Sequence, residues 1–387
     1  MNLPRSYAIF CGGIAAQLLS IGVARFAYTP LLPVMQAQAG LTPEGAGILG
    51  AMIYAGYLLG TLTLAVVKSP ALRLAAFRLC LVLAVVSTAM MGMSQNIWVW
   101  AISRFLGGLS GVAGMLLAAE FILGWLRRND RPMDLGPHFM GLGLGIALAG
   151  LLTLVMGAGA QWALQWNVFA LVALGLLPVA WLLTPKPVPR PVATQARAVP
   201  PPPPRAKRWF WIFGLGYLAA GWGYAVGATF CVDILTSGGQ SQSAASLVWL
   251  ILGLSTSVGA LMGSFAARRI GPMPVLLVCM GCQILSLGGF VLHSGMMISY
   301  LSAIFFGGSF VVIVSLSLML AGLKMPGEEG RAMARMTLLY GCGQILAPIA
   351  TSRILAATGS YSAGLIAATV ILAGGLLAMA SAERLSR

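Results

Sequence analysis

The sequence predicts an all-α membrane protein, with twelve transmembrane helices in two pseudo-symmetric six-helix bundles. Three observations carry this. Of 387 residues, 59% are hydrophobic and only 8% are charged, against about 25% charged in a typical soluble domain. The apolar segments are long enough to cross a bilayer, which takes roughly 20 residues each. The basic residues recur in every second loop, and this periodicity needs an even number of crossings.

The first apolar run follows the short basic stretch Met1–Tyr7 and continues to about Met35. That is too long for a signal-peptide core, so it reads as the first span. Spans are expected at about 7–35, 44–67, 73–93, 96–126, 137–158, 163–184, 209–235, 244–266, 272–293, 296–322, 332–356 and 361–381. One linker, Pro185–Lys207, interrupts them, and its run Pro200–Pro204 is expected to be extended polyproline. The chain therefore divides into an N-terminal bundle of residues 1–184, a basic proline-rich cytoplasmic linker of residues 185–208 and a C-terminal bundle of residues 209–387.

A net charge of +15 would suit nucleic acid, but its distribution excludes that class. Twenty of the 23 lysines and arginines fall on one side of the crossings, and only Arg25, Arg104 and Arg353 fall elsewhere. Basic loops are retained in the cytoplasm, so both termini are expected there, in a bacterial inner membrane. The six cysteines lie in apolar stretches. Cys279 and Cys282 form a C-x-x-C inside a span with no second ligand pair, so they read as packing residues. No phosphate-binding G-x-x-x-x-G-K-[ST], no His-Glu-x-x-His and no catalytic set is present, which implies no metal, no cofactor, no direct use of ATP and no enzyme.

The halves repeat. Shifted by about 200 residues, Arg104-Phe105-Leu106-Gly107-Gly108 falls on Ile304-Phe305-Phe306-Gly307-Gly308. Gly143-Leu144-Gly145 falls near Gly341-Cys342-Gly343. Parallel six-span repeats are related by an axis along the membrane normal, and transporters of this build bind substrate where the repeats meet.

Six plus six spans around a basic central loop resemble the major facilitator superfamily. Arg104-Phe-Leu-Gly-Gly108-Leu-Ser-Gly111 resembles its span-four signature, and Gly263-Ser-Phe-Ala-Ala-Arg268-Arg269-Ile-Gly271, placed after span eight, resembles its cytoplasmic hairpin signature. The hairpin aspartate is absent, which leaves the family's charged latch without its usual acid. Gly22-Val-Ala-Arg25-Phe-Ala-Tyr28-Thr-Pro30-Leu-Leu-Pro33, His138-Phe-Met-Gly-Leu-Gly, and Gly214-Leu-Gly-Tyr217 with Ala228-Thr-Phe230 resemble the YbfB/YjiJ branch. The resemblance implies a major facilitator fold, alternating access and a central cavity lined by spans one and four.

Charges inside the bilayer are the most informative residues, because each costs about 2.5–3.5 kcal/mol at the centre on insertion scales. Arg25 and Arg104 lie at similar depth in antiparallel spans, with no carboxylate at that depth in the first half. Two guanidiniums facing one cavity would bind a carboxylate, sulfonate or phosphate. For Arg104 the alternatives are coupling or a structural bond to backbone carbonyls near span one, and for Arg25 snorkelling to the surface. Tyr28, Gln17, Tyr57, Tyr224 and Gln344 are candidates to complete the site, or else interhelical hydrogen-bonding residues. Glu120 and His138 face each other across one cytoplasmic loop, and a pair between them would titrate as proton coupling or gating requires. The bland alternative for Glu120 is a structural pair with Arg127 or Arg128. Asp233 is a third coupling candidate, or a wet helix end.

The function expected is a monomeric secondary carrier for a small organic anion, proton-coupled or exchange-driven, with membrane lipids around it. The alternatives are a drug or metabolite exporter with an apolar cavity, and a non-transporting membrane receptor or assembly factor. Because Ile304 stands where Arg104 would repeat, charge recognition is assigned to the first half and aromatic and amide contacts to the second.

Overall fold

A computed structural model of the protein describes residues 3–132, 134–187, 203–292 and 295–386. Among them are twelve helices long and apolar enough to cross a membrane: α1 Arg5–Ala39, α2 Pro43–Val66, α3 Pro70–Met93, α4 Ile97–Arg128, α5 Gly136–Met156, α6 Trp162–Leu183, α7 Pro204–Ser237, α8 Gln242–Ile270, α9 Pro272–Leu292, α10 Met296–Lys324, α11 Glu329–Thr358 and α12 Ser362–Arg384. No strand occurs among the described residues.

Local chemistry sets the helix ends. Thr42, Ser69 and Ser241 accept hydrogen bonds from the backbone N–H three residues on, and Pro43 and Pro70 occupy the first helical turn. Gly40 and Gly359 close α1 and α11 in left-handed conformations, at φ 68° and 69°.

Two boundaries differ from the sequence expectation. Helix α7 begins at Pro204 rather than near 209, so the linker is shorter at its second end. Pro203 is extended (φ −64°, ψ 158°) and serves as the cap, while Pro204 sits where a missing N–H is harmless. Residues 188–202, which hold the rest of the proline run, lie outside the described residues. Helix α8 runs on to Ile270 rather than ending near 266, so the Gly263–Gly271 motif forms its last turns instead of following it, and Gly271 closes it with φ 92°.

Large apolar side chains such as Val155, Leu171, Leu182 and Leu377 are strongly exposed on the outside of the bundle, where lipid would meet them. The helices inside pack backbone to backbone through glycine. A Cβ on Gly145 of α5 would lie 2.6 Å from the Gly22 Cα of α1, so any side chain at this crossing would force the two helices apart.

The two halves are joined towards the face opposite the termini. There Thr29 of α1 donates to the Ala228 carbonyl of α7, Gln242 of α8 donates to the Pro30 carbonyl at 2.7 Å, and the Tyr54 and Thr229 hydroxyls lie 3.3 Å apart. Towards the terminal face lies a vestibule of about 740 Å³, which Thr61, Arg73, Glu120 and Arg127 of the first half and Met333 of the second help to line, while Leu261 of α8 stays close to Gly136 of α5. Thr61, Met115 and Leu116 also line a smaller inner chamber deeper between the halves.

Candidate substrate site

The site is built on a break in α1. From Leu18 to Val23 the helix widens to i→i+5 hydrogen bonding, with Ala24 N–H donating to Leu19 O and Phe26 N–H to Ile21 O. Regular winding resumes only at Tyr28. Pro30 contributes to the far end of the break: it has no N–H to offer the Phe26 carbonyl, and its ring crowds that carbonyl. The carbonyls of Ala24 and Arg25 accept from a side chain, and such local breaks are a recurring feature of functional sites.

Arg104 of α4 takes them. Its Nη1 donates to Ala24 O at 3.2 Å and its Nη2 to Arg25 O at 3.1 Å, with the guanidinium 4.4 Å from the Tyr28 ring centroid. Of the roles the sequence left open for Arg104, this geometry matches the bond to backbone near span one. Arg104 is 3% exposed and does not line the inner chamber.

Arg25 is placed differently. It is 8% exposed and lines the chamber. Its guanidinium lies 4.9 Å from the Tyr54 ring, 5.3 Å from Tyr57, 5.4 Å from Phe26 and 5.9 Å from Tyr224. Nη2 donates to the Tyr224 hydroxyl at 3.2 Å, whereas the buried Nε meets no acceptor. Among the described residues no carboxylate lies within ion-pairing distance of either arginine. Cation–π contacts contribute about 0.5–2 kcal/mol, so the rings soften the burial of this charge without neutralising it.

Arg25, Tyr57, Tyr224 and Gln344 therefore meet around one chamber of about 150 Å³. Tyr28 and Gln17 do not join them. The Tyr28 hydroxyl donates to the Ala46 carbonyl at 3.1 Å, and the Gln17 amide lies against His138 and Met115 inside the first bundle. The rest of the chamber wall includes Phe26, Tyr217, Phe310 and Tyr340. Sequence reasoning did not select these four as site residues. Tyr217 and Tyr340 each lie within three residues of a glycine motif that sequence reasoning did read, and that proximity was the available signal.

The expected pair between Glu120 and His138 is not formed. The Glu120 carboxylate accepts from Arg73, whose other nitrogens donate to the Val67 and Leu64 carbonyls at 2.8 and 3.0 Å. Neither Arg127 nor Arg128 is the partner found. Arg73, at the start of α3, thus ties the end of α2 to α4. His138 points inward and is fully buried, its Nε2 3.0 Å from the Gly114 carbonyl. The reason is again backbone geometry: α4 widens to i→i+5 winding over Ala113–Ala118, and Gly13 leaves room for the ring.

Asp233 is not a wet helix end. It is 2% exposed and accepts from the Tyr361 hydroxyl, which precedes α12, with the Gln36 side chain of α1 nearby. No group of three or more metal-ligating side chains occurs among the described residues.

Two six-helix halves around a central chamber, together with the family match over residues 17–381, place the chain among the multi-pass membrane transporters of the major facilitator superfamily. The chain belongs to the family described as the uncharacterised MFS-type transporter YbfB, whose model matches residues 17–381. No curated protein matches it significantly in sequence. Its fold is similar to that of a single-substitution mutant of the nucleoside transporter NupG, with a TM-score of 0.78 at 14% identity over 97% of this chain and 99% of that one. NupG itself gives 0.75 at 15% identity over 100% of both chains. A bacterial homologue of the human lysosomal transporter Spinster, inward-facing and unoccupied, gives 0.70 at 17% identity over 100% of this chain and 98% of that one.

Proposed function

We propose that the protein carries a small organic anion across the bacterial inner membrane by alternating access, with both termini in the cytoplasm. The observation that supports this best is Arg25. It is a buried cation in a chamber between the halves, without an acidic partner among the described residues. A buried charge is tolerated when paired, and an anionic substrate would supply the missing pair. On this reading the vestibule is the cytoplasmic entrance and the arrangement is inward-facing. Arg104 serves the site by holding the carbonyls on either side of the Ala24–Arg25 peptide.

Proton coupling is assigned to Asp233, the one buried acid among the described residues. Asp233 and Tyr361 belong to the second half and the nearby Gln36 side chain to the first, so this acid lies where the halves meet on the closed side. Protonation would weaken it as an acceptor and favour opening there. The test is a thermal-shift screen of purified protein against mono- and dicarboxylates, sulfonates and phosphate esters, repeated with Arg25→Ala. Stabilisation by anions follows mass action and should disappear in the variant. Stabilisation by cations alone would overturn the reading.

A further inference from the structure

The anion reading leaves open what carries the charge, and the chamber walls address that. We propose that the chamber takes an anion borne on a single flat aromatic ring, of the benzoate type. The inference rests on the anion reading for its charge and on separate observations for its ring.

The first is size. The inner chamber measures about 150 Å³, and an engineered apolar cavity of that volume in another protein binds benzene. The second is the wall. Tyr217 and Tyr340 stack at 4.6 Å between centroids with their planes 26° apart, and Tyr224 lies 5.0 Å from Phe310. These rings come from α7, α10 and α11, all in the second half, whereas Arg25 comes from the first. Leu142, Val314 and Leu318 are among the residues that complete the wall.

The third is the division of labour that follows. A carboxylate in the chamber would meet the guanidinium of Arg25, which lines it, while its ring would lie against the aromatic residues of the opposite half. Such a ligand bridges the halves with two different chemistries. A neutral ring would leave the guanidinium unpaired. An aliphatic acid would pair it but forgo the ring–ring contacts, which contribute up to roughly tenfold in affinity beyond burial alone.

Calorimetric titration of the purified full-length protein with benzoate, cyclohexanecarboxylate and benzamide tests this. Benzoate should bind about tenfold tighter than cyclohexanecarboxylate and still more tightly than benzamide. Tyr340→Leu, with its unliganded melting temperature checked against the parent, should remove most of the benzoate advantage and leave cyclohexanecarboxylate nearly unchanged. Equal binding of the two acids, with benzamide silent, overturns the ring and leaves the anion reading standing. Equal binding of benzoate and benzamide overturns the charge, and with it the anion reading. Binding of none of the three overturns the ring inference, and the broader anion screen then decides the anion reading by itself.

Discussion

Arg104 Nη2 donates to the main-chain carbonyl of Arg25 at 3.1 Å, so one intramembrane arginine fixes the backbone from which the other projects. With the second bond to Ala24 O, the guanidinium fork spans two consecutive carbonyls at the break in α1. Lysine has a single point charge and cannot reproduce that spacing. Arg104→Lys should therefore weaken anion binding about tenfold without changing which anions bind. Arg104→Ala strands both carbonyls, at about 1–3 kcal/mol for each buried unpaired group, and should lower the melting temperature clearly. Thermal unfolding and ligand titration on the same samples separate the two effects. An Arg104→Lys protein with altered anion selectivity would show that Arg104 touches the substrate.

Arg25 should behave in the opposite way. It is buried, its Nε lacks an acceptor, and among the described residues the side-chain acceptor placed at hydrogen-bond distance is a phenol. Such a group is kept for function against stability. Arg25→Ala should abolish anion-dependent stabilisation and leave the ligand-free melting temperature unchanged or raised. Arg25→Lys should retain at most weak binding, because the bidentate fork is lost. A strongly destabilised Arg25→Ala protein would mean that Arg25 is a structural residue.

The twelve spans were legible in the sequence because they follow from hydropathy, and the similar level of Arg25 and Arg104 followed from counting along antiparallel spans. Which arginine faces the chamber was not legible. That depends on the broken winding of α1 before Pro30, and i→i+5 turns leave no periodic signal in so uniformly apolar a segment. His138 was misplaced for the same reason. Loop proximity suggested Glu120, whereas the widened turn at Ala113–Ala118 offers the Gly114 carbonyl instead. No partner for Arg73 was legible, because its bonds to the end of α2 and to Glu120 depend on how α2, α3 and α4 come together.

Asp233 carries the prediction about coupling. The Tyr361 hydroxyl donates to it, and the Gln36 amide and the Tyr28 phenol lie nearby. Asp233→Asn keeps an acceptor oxygen at the same position but cannot bind and release a proton. In proteoliposomes it should lose accumulation driven by a pH gradient and retain exchange of labelled for unlabelled substrate. Loss of both activities in a well-folded protein would point to a structural link between the halves. Unchanged accumulation would remove Asp233 from the mechanism.

Glu120 supplies the contrast. Its ion pair with Arg73 is partly accessible, with side chains 25% and 14% exposed respectively, and pairs of this kind contribute at most about 1 kcal/mol. Arg73 keeps its bonds to Leu64 O and Val67 O when the acid is neutralised. Glu120→Gln should therefore lower stability slightly and leave pH-driven accumulation intact. Its effect should appear in the balance of conformations instead, because the pair ties α4 to the end of α2 at the mouth of the vestibule. Cysteine accessibility at the vestibule wall, for example in Thr61→Cys on a cysteine-free background, reports that balance. Neutralising Glu120 should change the labelling rate at Thr61→Cys, whereas Asp233→Asn should change accumulation. If Glu120→Gln abolished accumulation while labelling stayed constant, the proton would be carried on the vestibule side and the assignment to Asp233 would fail.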